Sequence, residues 1–352
     1  MIWRNIKFYR IMSGKSRTEL SRELGISIKR LDRYENGDEL PSLEMSRRIA
    51  SVLGVRLADI MLAKSAGHKY EHCEYRKTSR LRKTSQEQIK ALTEDYLDRF
   101  FAAVEILGEK VLQEVPKIHK LPPSFDAERD ALSLRRELGL PLSGAVSNLI
   151  GILEDKGILI VKINYADGKF SGRNGLADGR PYIALNSGMT AERQRSTIVH
   201  ELGHIYFEQS VAGNADWERH MTAVSGAFLF PAANAVKELG EKRTCISGDM
   251  LMICREYGIS LQMLAKRAEI AGIISEAVYR NFCIRLNMAG TKDKEHSHMQ
   301  AERALLFEQL VLRAAGEGKM TVQRGAELLR IPYAEMNEKI YISELCAADG
   351  NN

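Results

Sequence analysis

Two histidines bracket a glutamate in His200-Glu201-Leu202-Gly203-His204. On a helix, residues four apart share a face, so both imidazoles can reach one metal ion. Glu201 sits beside that face, where it can take a proton from metal-activated water. Zinc lowers the pKa of water bound to it to about 7, which makes hydroxide available at neutral pH. The chemistry this pattern points to is hydrolysis. A catalytic zinc normally takes three protein ligands and keeps a fourth place open. The next candidates lie in Asn214-Ala215-Asp216-Trp217-Glu218-Arg219-His220, which open a helix expected over residues 216–229. His220 shares a face with Val224, Ala227 and Phe228. Glu218 points about 200° away on the same helix. Periodicity therefore prefers His220 as third ligand, with Glu218 the alternative. Zinc is the default ion for histidine-rich ligation, and manganese or iron can occupy the same ligands.

A second chemistry resides near the N-terminus. Ser16-Arg17-Thr18-Glu19 is a capping-box pattern that starts a helix. That helix ends at Gly25, and Ser27 caps a second one running to Asn36-Gly37. Two helices joined by a tight turn containing glycine make a helix-turn-helix. Lys29, Arg30 and Arg33 point outward from the second helix, where they can donate to guanine O6 and N7 in a major groove. Ser27 and Arg17 sit at helix N-termini, where hydroxyl, guanidinium and free N–H groups meet phosphate. Charge agrees: residues 1–90 hold 20 Lys+Arg against 11 Asp+Glu, while the remaining residues hold 31 against 35. A basic module on a near-neutral body is the footprint of polyanion binding.

The elements that must position these groups follow from pattern. Helical spacing runs from about residue 86 to 114, then over 126–138 and 143–156. Strands are expected at 158–163 and 181–185, separated by a glycine-rich stretch, and the metal motif lies on a helix over 190–209. Residues 216–345 read as nearly all helical, with a polar break at 290–295 and no internal repeat. The stretch Met320 to Arg330 has a helix-turn-helix flavour, but an accessory helical segment is the simpler reading. The fold class is mainly α with a small β-sheet. The units expected are a helical module over 1–65, a basic linker over 66–90, a metal domain over 91–235 and a helical C-terminal region over 236–352. With 44% hydrophobic and 28% charged residues, disordered and fibrous classes are excluded. No apolar run approaches the roughly 18–20 residues that span a bilayer, so no membrane partner is expected. Five cysteines, odd in number and never in a CxxC pair, read as reduced thiols in a cytoplasmic protein. His68, His72 and Cys73 form a trio of metal-ligating types, but they read as surface residues of the linker.

Residues 1–62 resemble the Xre/Cro family of helix-turn-helix domains. The matching residues are Thr18-Glu19-Leu20-Ser21, Leu24-Gly25-Ile26-Ser27, Arg33-Tyr34-Glu35-Asn36-Gly37, Pro41-Ser42 and Ile49 to Val55. The resemblance implies that Ser27, Ile28, Lys29 and Arg33 face bases, and that Arg10, Arg17 and Asn36 lie near phosphates. Residues 75–280 resemble the ImmA/IrrE metallopeptidases through Arg193 to Val199 before the motif and Ala227-Phe228-Leu229-Phe230-Pro231 after it. In that family a downstream glutamate completes the site. Counting back from Pro231 to the family pattern puts that position at His220, with Met221, Thr222, Val224 and Ser225 departing from it. The resemblance implies a zincin-like domain with His200, His204 and His220 as ligands and Glu201 as general base. It further implies a DNA-binding regulator that cleaves a repressor or related regulatory protein. Operator DNA, a protein substrate and a second copy of the chain are the expected partners, since such modules read paired half-sites. The alternative is a non-proteolytic repressor or antitoxin-like regulator whose metal domain is a sensor or docking surface.

Overall fold

Helices α1 (Ile2–Met12), α2 (Arg17–Leu24), α3 (Ile28–Asn36), α4 (Leu43–Leu53) and α5 (Leu57–Met61) form the N-terminal module. Ser16 and Glu19 make the reciprocal capping box, and α2 stops at Gly25 in the left-handed region. Ser27 caps α3, which stops at Gly37. Ile6, Leu20, Leu24, Leu31, Tyr34, Ile49 and Leu53 close its core. The structure is a computed structural model, and it describes residues 2–62, 67–73, 81–208, 214–288 and 297–341.

The next elements are β1 (Tyr70–His72), α6 (Lys83–Leu107), α7 (Ala127–Glu137), α8 (Leu149–Asp155), β2 (Leu159–Ile163), β3 (Gly172–Ala177) and β4 (Arg180–Asn186). The strands form one sheet in the order β1-β3-β4-β2, with β2 parallel to β4 and the other pairs antiparallel. β2 and β4 match the expected strands to within a residue. β1 and β3 correct the reading of a linker and a glycine-rich loop. β3, Gly-Arg-Asn-Gly-Leu-Ala, has no β-branched or aromatic residue, so no strand propensity announces it. Its glycines serve packing: a Cβ on Gly175 would stand 2.4 Å from the Glu71 carbonyl oxygen and from the Tyr182 hydroxyl. Only a strand bare at that point lets β1 and the Tyr182 ring close in.

Then follow α9 (Ala191–Tyr206), α10 (Asn214–Leu229), α11 (Ala232–Leu239), α12 (Met250–Tyr257), α13 (Leu261–Ile270) and α14 (Glu276–Met288). The sheet separates two cores. Ile160, Ile183 and Leu185 join the core of α7 to α13. Leu159, Val161, Tyr182 and Ala184 join the core beneath α6 on the opposite face. This alternation is the period-2 pattern of a sheet covered on both sides. Among the described residues no helix is long and apolar enough to cross a membrane.

The chain closes with α15 (Leu306–Gly316), α16 (Val322–Leu329) and α17 (Tyr333–Ile340), which pack against α6. The turns after α15 and α16 use the same hydrogen bonds as those after α1 and α2. After α1, Gly14 N–H bonds to Ile11 O and Lys15 N–H to Arg10 O; after α15, Gly318 N–H bonds to Ala315 O and Lys319 N–H to Ala314 O. At the second turn, Gly25 N–H to Arg22 O and Ile26 N–H to Ser21 O are matched by Arg330 N–H to Glu327 O and Ile331 N–H to Ala326 O. Gly25 and Arg330 both take positive φ, 64° and 57°. Ser16 and Thr321 cap the corresponding helices. The same capping turn also closes α4, α7 and α8, so it marks helix ends, and the C-terminal segment remains an accessory helical unit. Its turn is anchored by Arg330, which pairs with Asp95 at 2.9 Å and lies over the Phe8 ring of α1.

Candidate metal centre and nucleic-acid interface

Helix α9 begins where the Thr190 side chain accepts from Arg193 N–H. Its apolar stripe, Ile198, Val199, Leu202 and Ile205, is buried. The residues before the motif fasten the helix. Gln194 donates to Met189 O at 2.8 Å, and Arg195 donates to Val146 O and pairs with Glu302. Glu192 holds the C-terminal segment by accepting from Ser297 Oγ and His298 N–H, just beyond the polar break expected at 290–295. His296 lies outside the described residues.

That leaves His200 and His204 on one partly open face, four residues apart as the motif requires. Their Nε2 atoms are 3.2 Å apart. The third group is Glu218, whose Oε2 lies 3.0 Å from His200 Nε2 and 3.4 Å from His204 Nε2. Two ligands each about 2.0–2.1 Å from a tetrahedral zinc stand about 3.3 Å apart, and the three distances bracket that value. Among the described residues this is the one group of three or more such side chains close enough to share an ion. Two neutral imidazoles and a carboxylate are a common donor set for zinc with an open position.

His220, which periodicity preferred, is placed elsewhere. Its Nε2 lies 2.7 Å from Asp130 Oδ2 on α7, and Asp130 also accepts from Ser124 N–H and Oγ. The reason is that α10 is buried on two sides, against α9 and against α7. Its apolar stripe does not mark the α9 side alone, so the face chosen from periodicity was the one turned to α7. The approach to α9 is set by Gly203: a Cβ there would lie 2.5 Å from Met221 Sδ, so the two helices touch at that point. One turn earlier on α10 comes Glu218. The residues that depart from the family pattern have local work as well. Thr222 Oγ1 lies 3.4 Å from His200 Nδ1, and Ser225 Oγ donates to Ser196 O at 2.9 Å, tying α10 to α9.

Glu201 faces the sheet and is 8% exposed. Its Oε2 accepts from Asn174 Nδ2 on β3 at 2.7 Å. Asn174 lies in the strand that sequence did not announce, so nothing in the chain pattern could have paired it with Glu201. Trp217, fully buried, donates its indole N–H to His204 Nδ1 at 3.2 Å. Lys120 donates to Ile205 O at 2.7 Å, a cation at the C-terminal end of α9, and burial pulls its pKa below the ordinary lysine range. His68 and His72 hold no metal trio with Cys73. His68 meets Asp178, and His72 meets Glu94 and Tyr182.

In the N-terminal module, Ser27, Ile28, Lys29, Arg33 and Asn36 are exposed along α3 and its cap, and Ile28 is 43% exposed. Arg30 and Arg33 each contact Glu39, at 3.0 and 2.9 Å, and remain about half open. Arg17 is exposed and lies 3.2 Å from both Asp32 and Glu35. Arg10 departs from expectation. It is buried, forks onto both oxygens of Glu35 and donates to Lys15 O. These bonds fix α1 to α3 and leave Arg10 8% exposed. α1 is in turn joined to α6 by Arg4 on Asp98 and by Gln88 on Ile11 O.

Comparison with known proteins gives the same two regions. Residues 6–60 match the helix-turn-helix family model. Residues 153–269 match the peptidase-family model of the IrrE N-terminal-like domain. A transcriptional regulator of the HTH type from Methanocaldococcus jannaschii, described as uncharacterized, is 32% identical over 57 residues, which are 16% of this chain and 86% of that protein.

Proposed function

Because the chain belongs to the helix-turn-helix transcriptional regulators through its N-terminal module, and carries an IrrE-like peptidase-family domain, we propose that it is a DNA-binding regulator with a metal-dependent endopeptidase that cleaves a repressor or related regulatory protein. The observation that carries this reading is the His200–His204–Glu218 triangle at ligand spacing, with Glu201 held on the adjacent face of the same helix. His200, His204 and Glu218 would hold the ion, zinc by default. When bound, such an ion polarises water and the scissile carbonyl. Glu201 then takes the proton of the attacking water as the new C–O bond forms, and delivers it to the departing amine nitrogen as the C–N bond breaks. On the DNA side, Lys29 and Arg33 read base edges, Ser27 and Ile28 flank them, and Arg17 and Asn36 meet phosphate. Two copies on paired half-sites, in the cytoplasm, complete the reading.

The contact of Trp217 with His204 favours a second reading. A metal-bound histidine usually donates its outer N–H to an acceptor, whereas the indole offers His204 Nδ1 a donor. That weakens His204 as a ligand and suits a domain that senses metal reversibly without cutting.

The two readings part on protein termini in cells expressing the wild type or Glu201→Gln at matched levels. New N-termini that appear with wild type alone support the peptidase and name its substrate. An identical set, with transcription that still responds to changes in α3, leaves the sensor reading standing.

A further inference from the structure

Glu201 has one described hydrogen-bond partner on the sheet, Asn174, and Asn174 is itself keyed by a second residue. It is buried, 6% exposed, in the middle of β3. Its Nδ2 donates to Glu201 Oε2 at 2.7 Å, while its Oδ1 accepts from the thiol of Cys73, the residue that follows β1. The two ends of an asparagine amide are ordinarily told apart only by their partners. Here the partners are unambiguous, since a carboxylate can only accept and a thiol is the donor on the other side. Burial, and after it the charge of Glu201, pushes the Cys73 thiol above its ordinary pKa. Two further bonds hold Cys73 in place: its N–H donates to Asn174 O, and the Arg173 side chain donates from Nη2 to Cys73 O at 2.7 Å. The glycine at 175, which admits β1 to the edge of β3, is what brings Cys73 to this place.

We propose that Asn174, oriented by Cys73, is the positioning residue for Glu201: it holds one carboxylate oxygen so that the other is presented to the metal face in a fixed direction. The proposal rests on the peptidase reading above, and adds to it a residue 27 positions away from the motif on a different element. A carboxylate free to turn would spend part of its time away from the water it must deprotonate, so the loss on removing Asn174 falls on turnover and not on binding.

Asn174→Ala and the isosteric Asn174→Asp are compared with wild type, each also in a Glu201→Gln background. Cleavage is followed on the substrate found from Glu201-dependent termini. Zinc affinity and the thermal midpoint are measured on the same proteins. The expected result is a fall in kcat of about 10–100-fold with KM unchanged, the usual size for loss of a supporting partner. Zinc affinity should stay within about threefold, and Asn174 variants should add nothing in the Glu201→Gln background. Cobalt(II) serves as a probe independent of cleavage: its visible spectrum should change on Asn174→Asp when Glu201 is present and not when it is Gln. Wild-type kcat, or equal losses of metal affinity and stability in both backgrounds, would overturn the proposal. Absence of any Glu201-dependent terminus with wild type would instead count against the peptidase reading, and an unchanged cobalt spectrum would then overturn the placement of Glu201 by Asn174 as well.

Discussion

The helices α1 to α3 and α15 to α17 are each joined by turns with the same capping hydrogen bonds, yet their last helices carry opposite chemistry. Where α3 presents Ile28, Lys29, Arg30 and Arg33, the corresponding places on α17 hold Tyr333, Ala334, Glu335 and Glu338. The seats differ too. α1, against which α3 packs, is joined to α6 by Arg4 on Asp98, whereas the turn before α17 is itself locked by Arg330 to Asp95. A short helix set after a tight turn is not by that fact a reader of DNA, because affinity for the duplex comes from cations near phosphates and donors at base edges.

The comparison can be broken most directly at α3. Lys29→Glu with Arg33→Glu should lower affinity for the chain's operator by about 100-fold or more at moderate salt, since each lost base contact is worth about 1–3 kcal/mol and the new charges repel phosphate. Fluorescence anisotropy on a duplex recovered by selection from genomic DNA measures it. The matching reversal on α17, Glu335→Lys with Glu338→Lys, should move affinity by less than about threefold and leave the salt dependence unchanged. A gain of tenfold or more would mean that α17 also faces DNA, and the distinction between the two units would fall. The smallest effect concerns how the C-terminal unit is seated. Glu154 accepts from Leu305 and Leu306 N–H at the start of α15, and burial pushes its pKa up to about 7. Its folded value lies above the unfolded one, so the folded state binds the extra proton and stability falls as pH rises from about 4.5 through 7. Between pH 5.5 and 7.5 the thermal midpoint should drop by a few degrees more in wild type than in Glu154→Gln.

What could be read from the chain divides along the same line. The N-terminal module was legible because its signals are local: a capping box, left-handed glycines at 25 and 37, and a serine cap, all within about twenty residues of sequence. Its C-terminal counterpart hides the same turns behind unusual residues, an arginine at the left-handed position and Pro332 in place of the serine cap. Arg10, expected near phosphate, is held by a partner that sequence does not rank, the buried Glu35. At the metal centre the motif itself was legible, and so was the helix that carries it. The place of Glu218 beside the two histidines was not, because a helix buried on two sides has no single face for periodicity to find. Asn174 was further still out of reach, on a strand with two glycines and no β-branched or aromatic residue, which takes strand form through its neighbours.

The central claim, a metal centre of His200, His204 and Glu218, is tested most directly by equilibrium dialysis with zinc. Wild type, Glu218→Ala and His220→Ala are compared at neutral pH in one experiment. The arrangement predicts one ion per wild-type chain, a loss of about 100-fold or more in affinity for Glu218→Ala, and a change within about threefold for His220→Ala. Zinc retained by Glu218→Ala and lost from His220→Ala, or no zinc bound by the wild type, would contradict it.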